Sequence, residues 1–135
     1  MKLYVKEKVT GLKITSARDV FDTIKELGKI DQESVWVIGY DSGNKEVFRG
    51  CIFLGGLNSA IIDLKILFKR VLVAGCASFI LIHNHPSGEI KPSLEDKKVT
   101  EKIKQAAQLL EINFLDHIII GEDSFFSFME DGTTL

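Results

Sequence analysis

Four apolar residues without polar alternation, Phe79-Ile80-Leu81-Ile82, run straight into His83-Asn84-His85-Pro86-Ser87-Gly88. A run this short is strand-sized, and the lack of alternation suits a strand covered on both faces. Helices must therefore pack on either side of it, and the flanking sequence offers them. Thr15-Ser16 followed by Asp19 is a helix start, with Val20, Phe21, Ile24 and Leu27 as one apolar stripe and Gly28 as its end. Asp63 to Ala74 predicts a second amphipathic helix with Ile66, Leu67, Val71 and Leu72 inward. Ser93 caps a third, reaching about Leu110, with Val99, Ile103, Ala106, Ala107 and Leu110 at helical spacing.

The strands follow by the same reasoning. Ser34 to Tyr40 is rich in β-branched and aromatic residues, Asp41-Ser42-Gly43-Asn44 is a turn, and Lys45 to Leu54 returns as a hairpin that Gly55-Gly56 stops. Ser78 to His83 is the buried strand, Pro86 to Pro92 a loop, and Leu115 to Ile120 and Ser124 to Phe128 two closing strands. The order is helix, two strands, helix, strand, helix, two strands. This predicts an α/β (α+β) domain, a mixed sheet with helices packed on it. At 135 residues, 45% apolar and 27% charged, the chain fits one ordinary globular core.

Several function classes lose ground here. No apolar run approaches the roughly 18–20 residues that span a bilayer, and Met1 to Lys8 holds no signal-peptide stretch, so the expectation is a cytoplasmic protein. Cys51 and Cys76 stand far apart and read as buried or free thiols of a reducing compartment. A net charge of −2 argues against a general phosphate-backbone binder. Lys97, Lys98, Lys102 and Lys104 form either a local basic patch or a solvated helix face.

The one dense cluster of ligand-type residues is His83-Asn84-His85, followed by Ser93-Leu94-Glu95-Asp96. Residues i and i+2 of an extended chain share a face, so His83 and His85 point the same way from the strand end. Pro86 and Gly88 then turn the backbone, and the first turn of the next helix presents Asp96. Two imidazoles and a carboxylate are a common catalytic zinc set, one ion per chain, and they also suit iron or manganese. Ser93-x-x-Asp96 is equally a capping-box pattern, so Asp96 is either a ligand or a cap. Glu95 lies about 100° round the helix from Asp96 and competes with it for the ion.

His-x-His, seven residues, Ser, two residues, Asp resembles the signature of the JAMM (MPN-type) metalloproteases. The longer string His83 to Gly88, Pro92-Ser93, and Leu115-Asp116-His117-Ile118-Ile119-Ile120-Gly121 resemble its RadC-like branch, from about Asp31 onward. The resemblance implies a three-layer sandwich of the MPN and cytidine-deaminase kind. It implies His83, His85 and Asp96 as metal ligands, Ser93 at the oxyanion, and an upstream glutamate as general base. Glu33 matches that glutamate. Glu46 is the rival, otherwise read as a solvated residue after the turn. His117 is expected in a supporting role behind the metal ligands or at the strand end, and the two cysteines as small buried thiols.

The implied reaction is hydrolysis of peptide or isopeptide bonds in a peptide or protein substrate. The branch carries a DNA-repair association, which makes a nucleic-acid-processing enzyme on the same metal site the alternative. A scaffold that has lost the metal set is a third class. About 30 residues precede Glu33, so the expectation is a single domain over residues 1–135 without the branch's helix-hairpin-helix region. Ile61-Ile62-Asp63-Leu64-Lys65 departs from the branch's Pro-Arg-Glu-like string. Exposed strand edges make a homo-oligomer possible.

Overall fold

A computed structural model describes residues 9–55 and 62–135. The leader reading at Met1 to Lys8, the second glycine of the Gly55-Gly56 stop, and Ile61 of the departing string lie outside the described residues. The elements are α1 (Ala17–Ile24), β1 (Ser34–Tyr40), β2 (Glu46–Leu54), α2 (Leu64–Val73), β3 (Ser78–Asn84), α3 (Leu94–Leu110), β4 (Asn113–Ile120) and β5 (Phe125–Ser127). A 3-10 segment, Lys25–Lys29, follows α1. They form a five-stranded sheet in the order β2-β1-β3-β4-β5. Only the β3–β4 pair is parallel, and α3 makes that crossover.

Strand alternation divides the sheet into two cores. Phe79 and Leu81 of β3, with Val35 and Val37 of β1, meet α2 and α3 through Leu67, Phe68, Val71, Val99 and Ile103. Ile80 and Ile82, with Trp36 and Ile38, meet α1 and the 3-10 segment through Val20, Phe21, Ile24 and Leu27. The fold is thus the expected three layers. β3 is buried over its whole length, as a strand covered on both faces must be.

Three details differ from the sequence reading. On α2 it is Phe68 that is buried with Leu67 and Val71, while Ile66 and Leu72 are exposed. The helix begins at Leu64 on its Asp63 cap, and this phase aims Phe68 at Phe79, with ring centroids 5.8 Å apart. On α3 the buried stripe is Asp96, Val99, Thr100, Ile103 and Ala107, and Leu110 is exposed. The first helix tightens into 3-10 geometry after Ile24, so Gly28 sits inside that segment rather than ending an α-helix.

Gly28 has another function. A Cβ at this position would stand 1.9 Å from the Gly121 carbonyl oxygen, a backbone atom that cannot swing away. Gly121 in turn packs on the backbone of Gly88, in the loop after His85. Gly28→Ala is therefore expected to lower stability by about 1–3 kcal/mol, the usual cost of overpacking. Urea denaturation measures it.

Candidate metal centre

The centre forms where β3 ends and α3 begins. Residues 79, 81 and 83 face α3, so His83 emerges on that side, and His85, beyond the strand, follows it. The His85 amide donates to the Ile120 carbonyl at 2.9 Å and the Gly88 amide to the His85 carbonyl at 2.9 Å, which closes the turn. Gly88 takes φ +84°, a conformation that favours glycine. The chain then reaches Ser93, whose Oγ accepts from the Asp96 amide at 3.0 Å, while Asp96 Oδ2 accepts from the Ser93 amide at 2.8 Å.

Asp96 forms the cap that the sequence allowed, and the same carboxylate lies beside both imidazoles. With Oδ2 held by the cap, Oδ1 lies 3.2 Å from His83 Nε2 and Oδ2 lies 3.3 Å from His85 Nε2. The two Nε2 atoms are 2.9 Å apart. His83 and Asp96 are buried, and His85 is partly open to a cleft of about 500 Å³.

Proton bookkeeping shows that these atoms suit a cation. The Thr100 hydroxyl has one hydrogen, donated to the Asp96 carbonyl at 2.7 Å. Its contact with His117 Nδ1 at 2.6 Å must therefore be accepted from His117. Burial holds the His117 imidazole well below its ordinary pKa, so the ring is neutral and its Nε2 is bare. This Nε2 accepts from His83 Nδ1 at 2.8 Å, which leaves His83 Nε2 as a lone pair facing the centre. His85 reaches the same state independently, because its Nδ1 donates to the Glu89 carbonyl at 2.6 Å.

Two lone pairs and a carboxylate converge at 2.9 to 3.3 Å, and they repel unless a cation or a proton lies among them. Donors placed about 2.0–2.1 Å from one tetrahedral zinc would be roughly 3.3 Å apart, close to what is seen. His83, His85 and Asp96 can hold a metal ion, and they are the one such group among the described residues. Where no ion is bound a proton takes its place: burial lowers the His83 pKa, the neighbouring Asp96 carboxylate raises that of His85, and the two imidazoles hold Asp96 well below the carboxylate range although burial opposes them.

His117 lies directly behind His83. Its ring stacks on Phe128 with centroids 4.6 Å apart and an interplanar angle of 3°. Thr100 and Asn84 escaped the sequence reading. Thr100 had a signal, being one turn beyond Asp96 on the buried stripe. Removing a partner behind a metal ligand typically costs 10–100-fold in affinity. Thr100→Val and His117→Ala are each expected to weaken metal binding by roughly that factor. Competition titration against a coloured chelator measures the change.

Glu33 is half-buried and lines the same cleft as His83, His85 and Ser93. Ser93 is exposed at its rim, and because its Oγ accepts from the Asp96 amide, its own hydrogen is available to donate. Glu46 is elsewhere. It pairs with Tyr40, the far end of β1, six residues from Ser34 and about 20 Å along the strand. Nor is it solvated, as the sequence suggested. It is buried, with two bonds from Arg49 at 2.8 and 2.9 Å and two from Thr10 at 2.8 and 3.0 Å.

Burial alone would raise the Glu46 carboxyl, but these bonds outweigh it and hold the pKa below its ordinary value. The stabilisation is complete above about pH 4.3, the free glutamate value, and is lost as pH falls through the lower folded value. Glu46→Gln is expected to cost about 3 kcal/mol at pH 7, since it strands a buried Arg49. The gap from the parent should narrow near pH 3, and metal content should not change. Urea melts at both pH values, with metal analysis, check all three.

The remaining candidates stand outside the centre. Glu95 is paired with Lys98 at 3.8 Å on the helix surface. Lys97, Lys98 and Lys102 are exposed among Glu95 and Glu101, the mixed face of an ordinary surface helix. Cys76 is buried against Gly39, with its thiol pKa pushed up by that burial, and Cys51 is half-buried with Sγ 3.4 Å from the Phe53 carbonyl. No helix among the described residues is long and apolar enough to cross a membrane.

Comparison with known proteins agrees with this geometry. The family model for the RadC-like JAB domain matches residues 14–133. A UPF0758 protein of Flavobacterium johnsoniae is 40% identical over 121 residues, which cover 89% of this chain and 53% of that protein. Others, from Bacillus licheniformis and Histophilus somni, are 42% identical over 103 and 107 residues, covering 76% and 79% of this chain and 46% and 48% of theirs. The chain spans about half the length of the curated relatives it matches. Because the match runs through the end of β3, where both histidines stand, and through the capped helix that returns Asp96 to them, this chain belongs to the RadC-like JAB domain family.

Proposed function

We propose that this chain hydrolyses peptide or isopeptide bonds, with His83, His85 and Asp96 holding one zinc ion. The observation that carries the reading is the pair of bare imidazole nitrogens, each fixed by a hydrogen-bond path ending on a backbone carbonyl, converging on one carboxylate. When bound there, zinc supplies Lewis acidity toward a carbonyl and lowers the pKa of water to about 7.

The chain's own residues supply the rest. Glu33 takes the proton from the attacking water and returns it to the leaving amine nitrogen, which cannot depart as an anion. Ser93 donates its free hydroxyl hydrogen to the carbonyl oxygen as negative charge develops. Asp96, held by its cap, and His83, held by His117, keep the donor set from rearranging as charge moves. Glu33 and Ser93 line the cleft of about 500 Å³ beside the histidines, where a chain carrying the scissile bond would lie.

The test begins with elemental analysis of the purified full chain, which should carry about one equivalent of zinc. A mixed pool of peptides and isopeptide-linked conjugates is then incubated with chain that has been stripped and reloaded. Cleavage that needs the metal supports the reading. A metal-loaded chain that cleaves nothing in the pool, while altering nucleic acid in a metal-dependent way, would overturn it.

A further inference from the structure

Asn84 lies between the two histidines, wholly buried, on the opposite side of the strand. Its amide has two donor hydrogens and two acceptor lone pairs, and all are spent on one short stretch of chain. Oδ1 accepts from the Ser34 amide at 2.7 Å and the Ser34 hydroxyl at 2.9 Å. Nδ2 donates to the carbonyls of Gln32 at 3.0 Å and Ile30 at 3.3 Å. The Trp36 indole N–H donates to Ser34 Oγ at 3.0 Å, which directs the hydroxyl hydrogen toward Asn84.

The bonded residues are 30, 32 and 34, which leaves Asp31 and Glu33 between them, and Glu33 is the one that adjoins β1. Ser34 Oγ meets Asn84 and Trp36, so the Ser34 side chain is on that face of β1 and the side chain before it turns to the other, which is the face of His83 and His85. The β1–β3 register agrees, since the ladder ends with Val35 opposite His83, and Glu33 is two residues before Val35. Glu33 lines the same cleft as both imidazoles. Its own carbonyl accepts from the Gly55 amide at 2.8 Å, so the backbone is held from the hairpin side as well.

We infer that Asn84 is a positioning residue for Glu33, clamping residues 30 to 34 so that the Glu33 carboxylate faces the His83–His85–Asp96 centre. This inference rests on the reading of Glu33 as the base. No other side chain of this length replaces the clamp. An aspartate lacks both donors and would face two carbonyl oxygens, and a leucine would leave the four bonded groups without this partner, the two of Ser34 among them buried. The tripeptide thus joins both halves of the centre: its outer residues take the metal and its middle residue sets the base.

The test uses the full chain loaded with cobalt(II), as Asn84→Ala, Glu33→Gln and the double variant. Amide hydrogen exchange at Ser34 is followed beside the pH midpoint of the visible cobalt spectrum. Removing a carboxylate charge near bound water makes that water ionise more readily, so Glu33→Gln should lower the midpoint. Asn84→Ala should keep one cobalt per chain, speed exchange at Ser34 about tenfold for the lost buried bond, and lower the midpoint too. In the Glu33→Gln background it should shift the midpoint no further.

A midpoint equal to the parent's in Asn84→Ala, or a shift that persists without Glu33, overturns the inference. If Asn84→Ala does not fold, Ser34→Ala removes one of the four bonds and carries the same readouts with a smaller shift. A Glu33→Gln chain with the parent's midpoint overturns the assignment of the base itself. That failure is distinct, because the Ser34 amide would still lose its protection in Asn84→Ala.

Discussion

Asp96→Ala and His83→Ala chains are expected to emerge from purification essentially free of zinc, under dialysis that leaves the parent loaded. Each removes one of three donors, and the two that remain must compete with water and chelators for the ion. The loss should exceed the roughly 10–100-fold cost of deleting a partner behind a ligand. The two variants fail for different local reasons. Asp96→Ala also removes the acceptor for the Ser93 amide, so α3 loses half its capping box and about 1 kcal/mol with it. His83→Ala leaves α3 capped but deprives His117 Nε2 of its donor inside a buried pocket. Asp96→Asn separates cap from charge, because it keeps an oxygen toward Ser93 while cutting the charge that draws the metal. Elemental analysis beside thermal melts reads both effects. A His83→Ala chain that still carried a full equivalent of zinc would remove the basis for the hydrolase.

Glu33→Gln should do the opposite: keep the metal and lose turnover. The substitution preserves size and leaves His83, His85 and Asp96 in place, but an amide cannot accept the proton of the attacking water. General-base catalysis by one positioned group contributes about 10²–10⁴-fold, so turnover of any substrate the parent cleaves should fall by that order, with metal content unchanged. The loss should appear in kcat more than in KM, since proton transfer belongs to the transition state rather than to binding. Equal turnover in Glu33→Gln and the parent would mean that the base is another group. Glu46 would not inherit the role, because it is buried against Arg49 at the other end of β1.

The layers of the fold were legible because they rest on short-range physics. Side-chain alternation, the unbroken apolar run from Phe79 to Ile82, and the caps at Ser16 and Ser93 are local signals, and α1 and α3 begin where those caps stand. The errors fell where a local pattern admits two phases. Ile66 and Leu72 fit an apolar stripe on α2 as well as Phe68 does on paper, but only packing against Phe79 chooses between them. Glu46 follows a turn, a place usually open to water. Its burial depends on Arg49 and on Thr10, which lies 36 residues earlier.

At the centre the division is equally clear. Two-residue spacing alone puts His83 and His85 on one side of an extended chain, and Ser93-x-x-Asp96 alone gives a helix whose first turn holds a carboxylate. Whether that carboxylate caps the helix or meets the imidazoles was beyond the sequence, because it depends on where the loop after Pro86 returns α3. Only the tertiary structure shows that it does both. Only there do Thr100 and His117 turn the bare nitrogen of His83 toward Asp96, and only there does Asn84 reach residues some 50 positions away. Spacing governs which side chains share a face of one element. The direction of a hydrogen bond between elements depends on which donors and acceptors the folded chain brings within 3 Å, and no pattern along a single strand or helix encodes that.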